Sequence, residues 1–169
     1  MSSYPYDLGT YSRQVTTGSA EAQRWFDREL NWTFGYNHAE AVRCFQRAAE
    51  ADPACAMAWW GISYAAGPNY NMPWWRMDPD GQHAALQVAR DAAGKAMALI
   101  GGVTPPERAL IEALPSRYPQ DAPAEDMRPW DDVFAAAMRK AYAAHPDDPE
   151  IACVFVEAMM NRTPWQMWD

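Results

Sequence analysis

Apolar positions recur at helical spacing through most of the chain. Between Ser19 and Gly35 they fall at Ala22, Trp25, Phe26, Leu30, Trp32 and Phe34, a broad stripe at intervals of three and four. Ser19 is a natural N-cap, Glu21 sits where the helix dipole favours an anion, and Gly35 ends the segment. Asn37-His38-Ala39-Glu40 has the spacing of a capping box and opens a second helix carrying Ala41, Val42, Cys44, Phe45, Ala48 and Ala49. Asp52-Pro53 closes it. A very apolar third helix spans 54–66 and breaks at Gly67-Pro68, and an aromatic loop covers 69–75. Asp78-Pro79 starts an Ala-rich helix over about 81–100, and Gly101-Gly102 ends it. Thr104-Pro105-Pro106-Glu107 begins a short helix expected to break at Pro115. After a Pro/Asp linker at 119–128, helices are predicted over 129–144 and from Asp148-Pro149-Glu150 to near Asn161. Strand-like alternation is missing throughout. The prediction is an all-α chain of about seven antiparallel helices, with residues 1–18 as an extended arm ahead of a helical domain over 19–169.

Composition narrows the function classes. The chain has 169 residues, enough for one core and too few for two comfortable domains. A formal charge of −8 argues against a nucleic-acid backbone or an anionic membrane surface as partner. No apolar run reaches the ~20 residues of a membrane span, and Met1-Ser2-Ser3-Tyr4-Pro5 lacks a basic-then-apolar leader. Three widely spaced cysteines, Cys44, Cys55 and Cys153, do not make a disulfide framework, and a reducing cytoplasm is the expected location.

Helix pairs repeat. Trp25 precedes Trp32 by seven residues, then come Ala41, Phe45 four later, Ala48 three after that, and Pro53. Small Ala41 and Ala48 allow close helix approach, and Trp25, Trp32 and Phe45 are expected to fill the wedge toward the next pair. This pattern over 22–55 resembles the 34-residue tetratricopeptide repeat. With Gly35-Tyr36-Asn37-His38-Ala39-Glu40-Ala41, Ala54-Cys55-Ala56-Met57-Ala58-Trp59-Trp60-Gly61 and Gly67-Pro68-Asn69-Tyr70-Asn71, the chain resembles a microbial tetratricopeptide-repeat family of largely unassigned function. The likeness extends to Pro129-Trp130 and Arg162-Thr163-Pro164-Trp165. It implies a right-handed solenoid of stacked helix pairs, and relatives that are longer, with further repeats. Two positions depart from it: Glu29 stands where the repeat takes a small residue, and Arg28 replaces a large apolar one.

In such a solenoid the first helices of each pair line a concave groove. Helical spacing assigns Phe26, Leu30 and Thr33, then Met57, Trp60 and Tyr64, then Cys153, Glu157 and Met160 to it, or else leaves them as core covered by the arm. The lining is apolar and aromatic, so the expected partner is a peptide or protein with an apolar face. The loop residues Asn69, Asn71, Trp74 and Trp75 combine stacking surface with amide hydrogen bonding and are a second candidate, or else plug the spread helix pair. The rival class is part of a metal-dependent or small-molecule enzyme with an aromatic pocket near Trp60, Asn69 and Trp74. For metal, His38 with Cys55 and Met57 is the alternative to His38 as an ordinary first-turn histidine; Met72 and Met77 would complete a soft Cu(I) set. No CxxC, HExxH, catalytic triad or phosphate loop occurs, and no cofactor is expected. The helix from 150 begins like a new repeat and ends in Trp165, Met167 and Trp168, so the chain is expected to be the N-terminal piece of a longer protein or to self-associate through 150–168.

Overall fold

The computed structural model describes residues 4–166. Seven helices make up the body: α1 (Ala20–Phe34), α2 (His38–Ala51), α3 (Ala56–Ala66), α4 (Pro79–Ala98), α5 (Pro105–Arg117), α6 (Arg128–Ala144) and α7 (Pro149–Met160). Short 3-10 turns occur at Trp74–Arg76 and Ile100–Gly102, and no strand is present among the described residues. No helix of the described residues is long and apolar enough to cross a membrane.

Helix starts follow local chemistry. The side chains of Ser19, Asn37, Asp78 and Asp148 each accept the amide three residues on. The box at Asn37 is one-sided. Glu40 turns away from the cap and accepts from Arg43 (2.9 Å) and Tyr4 (3.4 Å). The third helix begins at Ala56 because Asp52 holds the preceding turn, accepting from Ala54 N and Cys55 N. The expected break at Pro115 does not occur. Pro115 lies in the last turn, so the one bond it removes and any kink it introduces affect only the two residues that follow, and the helix runs on to Arg117.

Consecutive helices pack on one another, and α1 also touches α3, as α3 touches α5. Fully buried Ala41 and Ala48 face these contacts. Two glycines set the closest approaches. A Cβ on Gly61 would lie 1.9 Å from the Phe45 ring, and one on Gly67 would lie 2.1 Å from the Tyr118 hydroxyl. Phe45 therefore fills the wedge as expected. Trp25 and Trp32 do not. They sit half-buried on the outer side of α1, edge-on to Tyr4 and Tyr6 respectively, because the face of α1 toward α3 is taken by Phe26, Leu30 and Thr33.

The arm is strapped down by polar bonds. Ser12 and Arg13 bond Asp27, and Gln23 takes Val15 N and gives to Arg13 O. Arg13 then reaches Asp148 (2.7 Å) and Glu150 at the start of α7, and Tyr11 also donates to Glu150. Thr16 donates twice to buried Glu107 at the start of α5 (2.7 and 2.6 Å), and Thr17 donates to Asp52. Residues 11–17 thus tie together the entry points of α3, α5 and α7. With Thr104 donating as well, the Glu107 carboxylate is held below the ordinary range by its hydrogen bonds, against the opposing cost of burial.

Glu29 is the anomaly of the core. It lies on the apolar stripe of α1, is fully buried, and neither carboxylate oxygen has a partner among the described residues. Burial pushes its carboxyl well above the ordinary range, which favours the protonated form. The folded chain binds this proton more tightly than the unfolded chain. Stability therefore falls as pH rises above 4.5, until the folded carboxyl itself ionises. Glu29→Met keeps the volume and removes the cost. We expect a gain of about 1–3 kcal/mol at neutral pH and a flatter stability profile above pH 4.5 in urea melts; a destabilised variant would show an unseen partner for the carboxyl.

Candidate functional site: the cleft beside the aromatic loop

The loop at 69–76 is a built feature. Asn69 and Met72 exchange both backbone bonds, and the Asn69 side chain accepts from Asn71 N and Met72 N. This turn delivers two neighbouring indoles in opposite directions. Trp74 is buried edge-on between Tyr118 and Trp130 at 6.5 and 5.9 Å, whereas Trp75 is 60% exposed. Tyr70 stacks on Trp165, with Arg76 over the same ring, so the loop also holds the segment after α7.

A cleft of about 670 Å³ opens between this loop, the start of α6 and residues 161–166. Trp74, Trp75 and Gln82 form one wall; Met127, Arg128 and Asp131 a second; Asn161, Arg162 and Pro164 a third. Three polar groups in it are unusual. Trp74 Nε1 is a buried donor and Asn161 Oδ1 a buried acceptor, both without partners among the described residues. Asp131 is 8% exposed, and burial lifts its carboxyl to about 7, against the opposing pull of Arg117.

Behind the cleft runs a line of buried polar side chains. Arg117 is 1% exposed and donates to the carbonyls of Tyr64 (3.0 Å) and Pro68. Its guanidinium lies 4.6 Å from the Tyr64 ring centre and 4.9 Å from that of Phe134. The Tyr64 hydroxyl donates to Glu157, whose other oxygen is buried and unpaired. Glu157 in turn influences His38, whose two ring nitrogens have no partner and whose pKa burial depresses.

The candidates named from sequence divide sharply. Phe26, Leu30, Met57, Trp60, Tyr64 and Trp74 are all closed off in the core, at 3% exposure or less. Trp60 stacks on Tyr64 at 5.1 Å. The reading of the first-helix positions as core is the one that fits their burial. Asn69 is buried in its turn, and only Asn71 and Trp75 reach solvent. Thr33 is buried, Glu157 and Met160 are half-buried, and Cys153 is exposed. Cys55 and Met57 lie at the start of α3, and no group of three His, Cys, Asp or Glu that could hold a metal occurs among the described residues. Met72 is exposed and Met77 half-buried. Met167 and Trp168, expected in a terminal patch, lie outside the described residues.

Asp131, Asn161 and Arg117 were not among those candidates. A signal for two of them exists. Arg117 falls on the stripe of Leu110 and Leu114, and Asp131 on that of Phe134, Ala135 and Met138. An ionisable residue on an apolar stripe marks a buried charge.

No family model matches the chain, and searches of curated proteins and of solved structures return no match. The site therefore rests on its own geometry.

The Asp131 carboxyl titrates near pH 7 where an ordinary one titrates near 3.8. The folded state is thus favoured while the proton is bound, and stability drains away as pH rises from about 4 through 7. Carbon-13 shifts of the carboxyl across pH 3–9 should show a midpoint close to neutrality, and Asp131→Asn should abolish that part of the pH dependence of melting. A midpoint near 4 would place water or a cation against Asp131.

Proposed function

We propose that the chain is an interaction module of the tetratricopeptide class that seats an apolar peptide segment of a partner in the cleft beside the aromatic loop. Support for the repeat reading comes from the packing of α1 on α3 and α3 on α5, with small Ala41, Ala48 and Gly61 at the close contacts. The observation that carries the binding reading is the cleft of about 670 Å³ with an exposed indole, Trp75, at its edge. Exposed Trp75 supplies an apolar anchor at the rim.

This shifts the docking surface expected from sequence. The inner positions Phe26, Leu30, Met57 and Trp60 are buried in the core, and none of them lines the cleft. A second reading, a small-molecule site with Asp131 as the titrating group, draws support from the same cleft and its near-neutral carboxyl. Separately, α7 leaves Val156 55% exposed beside exposed Cys153, which supports the proposal of self-association through the 150–168 region.

Selection of a random peptide library on the protein should enrich sequences with aromatic or branched apolar residues. Trp75→Ala should weaken a selected peptide at least ten-fold with no loss of stability, since the ring is mostly exposed, while Lys140→Ala should leave it unchanged. Selected peptides that bind equally to Trp75→Ala would move the site elsewhere. For the α7 face, light scattering should show a concentration-dependent mass that Val156→Glu removes; a monomer throughout would end that proposal.

A further inference from the structure

A second cavity, of about 850 Å³, lies away from the loop cleft in the outer groove between α1 and α2, and the inference from it is independent of the reading above. Its walls carry four guanidiniums. Arg24 and Arg28 are one turn apart on α1, and Arg43 and Arg47 one turn apart on α2, so each pair shares a helix face. Trp25 is the floor, and Tyr4 of the arm closes one side.

The charge arrangement is unbalanced at its centre. The Arg28 and Arg47 guanidinium carbons lie 4.6 and 5.1 Å from the centre of the same Trp25 ring, and Arg28 lies 4.3 Å from that of Tyr4. Among the described residues, Arg24, Arg28 and Arg47 make no ion pair and no side-chain hydrogen bond. Two like charges are thus held around one indole with their donor edges unused. Of the three acids in the groove, Glu40 is engaged by Arg43 and Tyr4, and Glu21 and Glu50 belong to its far end, at the start of α1 and the end of α2. Stacking fixes the central guanidiniums in place, so little freedom is lost when they take an anion.

Spacing indicates the kind of anion. The backbone positions of the two arginines on each helix lie about 6 Å apart along the groove. Alternate residues of an extended peptide point the same way about 6.6 Å apart. The lined stretch of α1, Glu21 to Arg28, is about 10 Å long, enough for three or four extended residues. We propose that this groove binds a short acidic segment of a partner protein in extended form, with carboxylates at alternate positions held by the two arginine rungs and the residue between them laid on Trp25.

The test uses the full chain and a fluorescein-labelled peptide, Glu-Tyr-Glu-Tyr-Glu with an acetylated N-terminus, followed by anisotropy. Saturable binding is expected, weakened at least ten-fold by R28Q/R47Q and strongly by half-molar salt, and unchanged by K140Q. Should R28Q/R47Q lose helicity, R24Q/R43Q replaces it, because neither side chain stacks on a ring, and a loss of several-fold is expected. Equal binding of Lys-Tyr-Lys-Tyr-Lys, undiminished binding to the arginine variants, or an absence of saturation would overturn the proposal. Inorganic phosphate that binds more tightly than the peptide would overturn the choice of a peptide as occupant.

Discussion

The buried guanidinium of Arg117 is the constraint around which the second half of the molecule is arranged. A cation without a carboxylate in direct contact is costly in a protein interior. Here it is accommodated by two carbonyls at the end of α3 and just beyond it, and by the faces of Tyr64 and Phe134. Those partners come from α3 with the turn after it and from α6, while the guanidinium itself comes from α5. Satisfying one charge therefore fixes the end of α3, the end of α5 and the inner face of α6 relative to one another. The adjoining Tyr118 bonds Ser63 O at 2.7 Å, an approach that only glycine at position 67 leaves room for.

The chemistry of the cleft follows from that placement. Asp131 stands near enough to Arg117 to be influenced by it, yet burial outweighs the attraction and keeps the carboxyl close to neutrality in its titration. Glu157, on the other side, is bonded through Tyr64 and faces α7 toward the same charge. The polar line from His38 to Asp131 is thus carried on helices, with the loop's exposed side chains, Trp75 and Asn71, at its edge. A rigid support beneath a solvent-facing loop is the common way to hold a recognition surface in one geometry.

The helices were legible because their signals are local. Ser19, Asn37, Asp78 and Asp148 announce helix starts by side-chain chemistry within three residues, and the stripes of α1, α2 and α6 have a clear period. The loop was legible as a feature of interest, and Trp75 stands at its exposed edge. What sequence reasoning missed was non-local. Asp131, Asn161 and Trp74 belong to separate segments, and no spacing rule joins them. The side of a helix that turns inward was also underdetermined. Trp25 and Trp32 are larger and more apolar than Glu29, yet the arm covers the indoles and the glutamate goes inside. Aromatic rings with a polar edge are content at a half-wet surface, so size alone does not decide which face is buried.

The arm has a consequence for how the chain comes together. A stack of helix pairs ordinarily behaves as a one-dimensional array, in which each unit answers only to its neighbours and ends fray independently. Arg13 meets Glu150 across 137 positions of sequence, and Thr16 meets Glu107 across 91. These bonds tie the arm to helices far along the sequence. During synthesis the arm precedes its anchors on α5 and α7, so its bonds to them form only after those helices exist. The long loop closure slows this final step. Once made, it couples the arm to the entry points of α5 and α7.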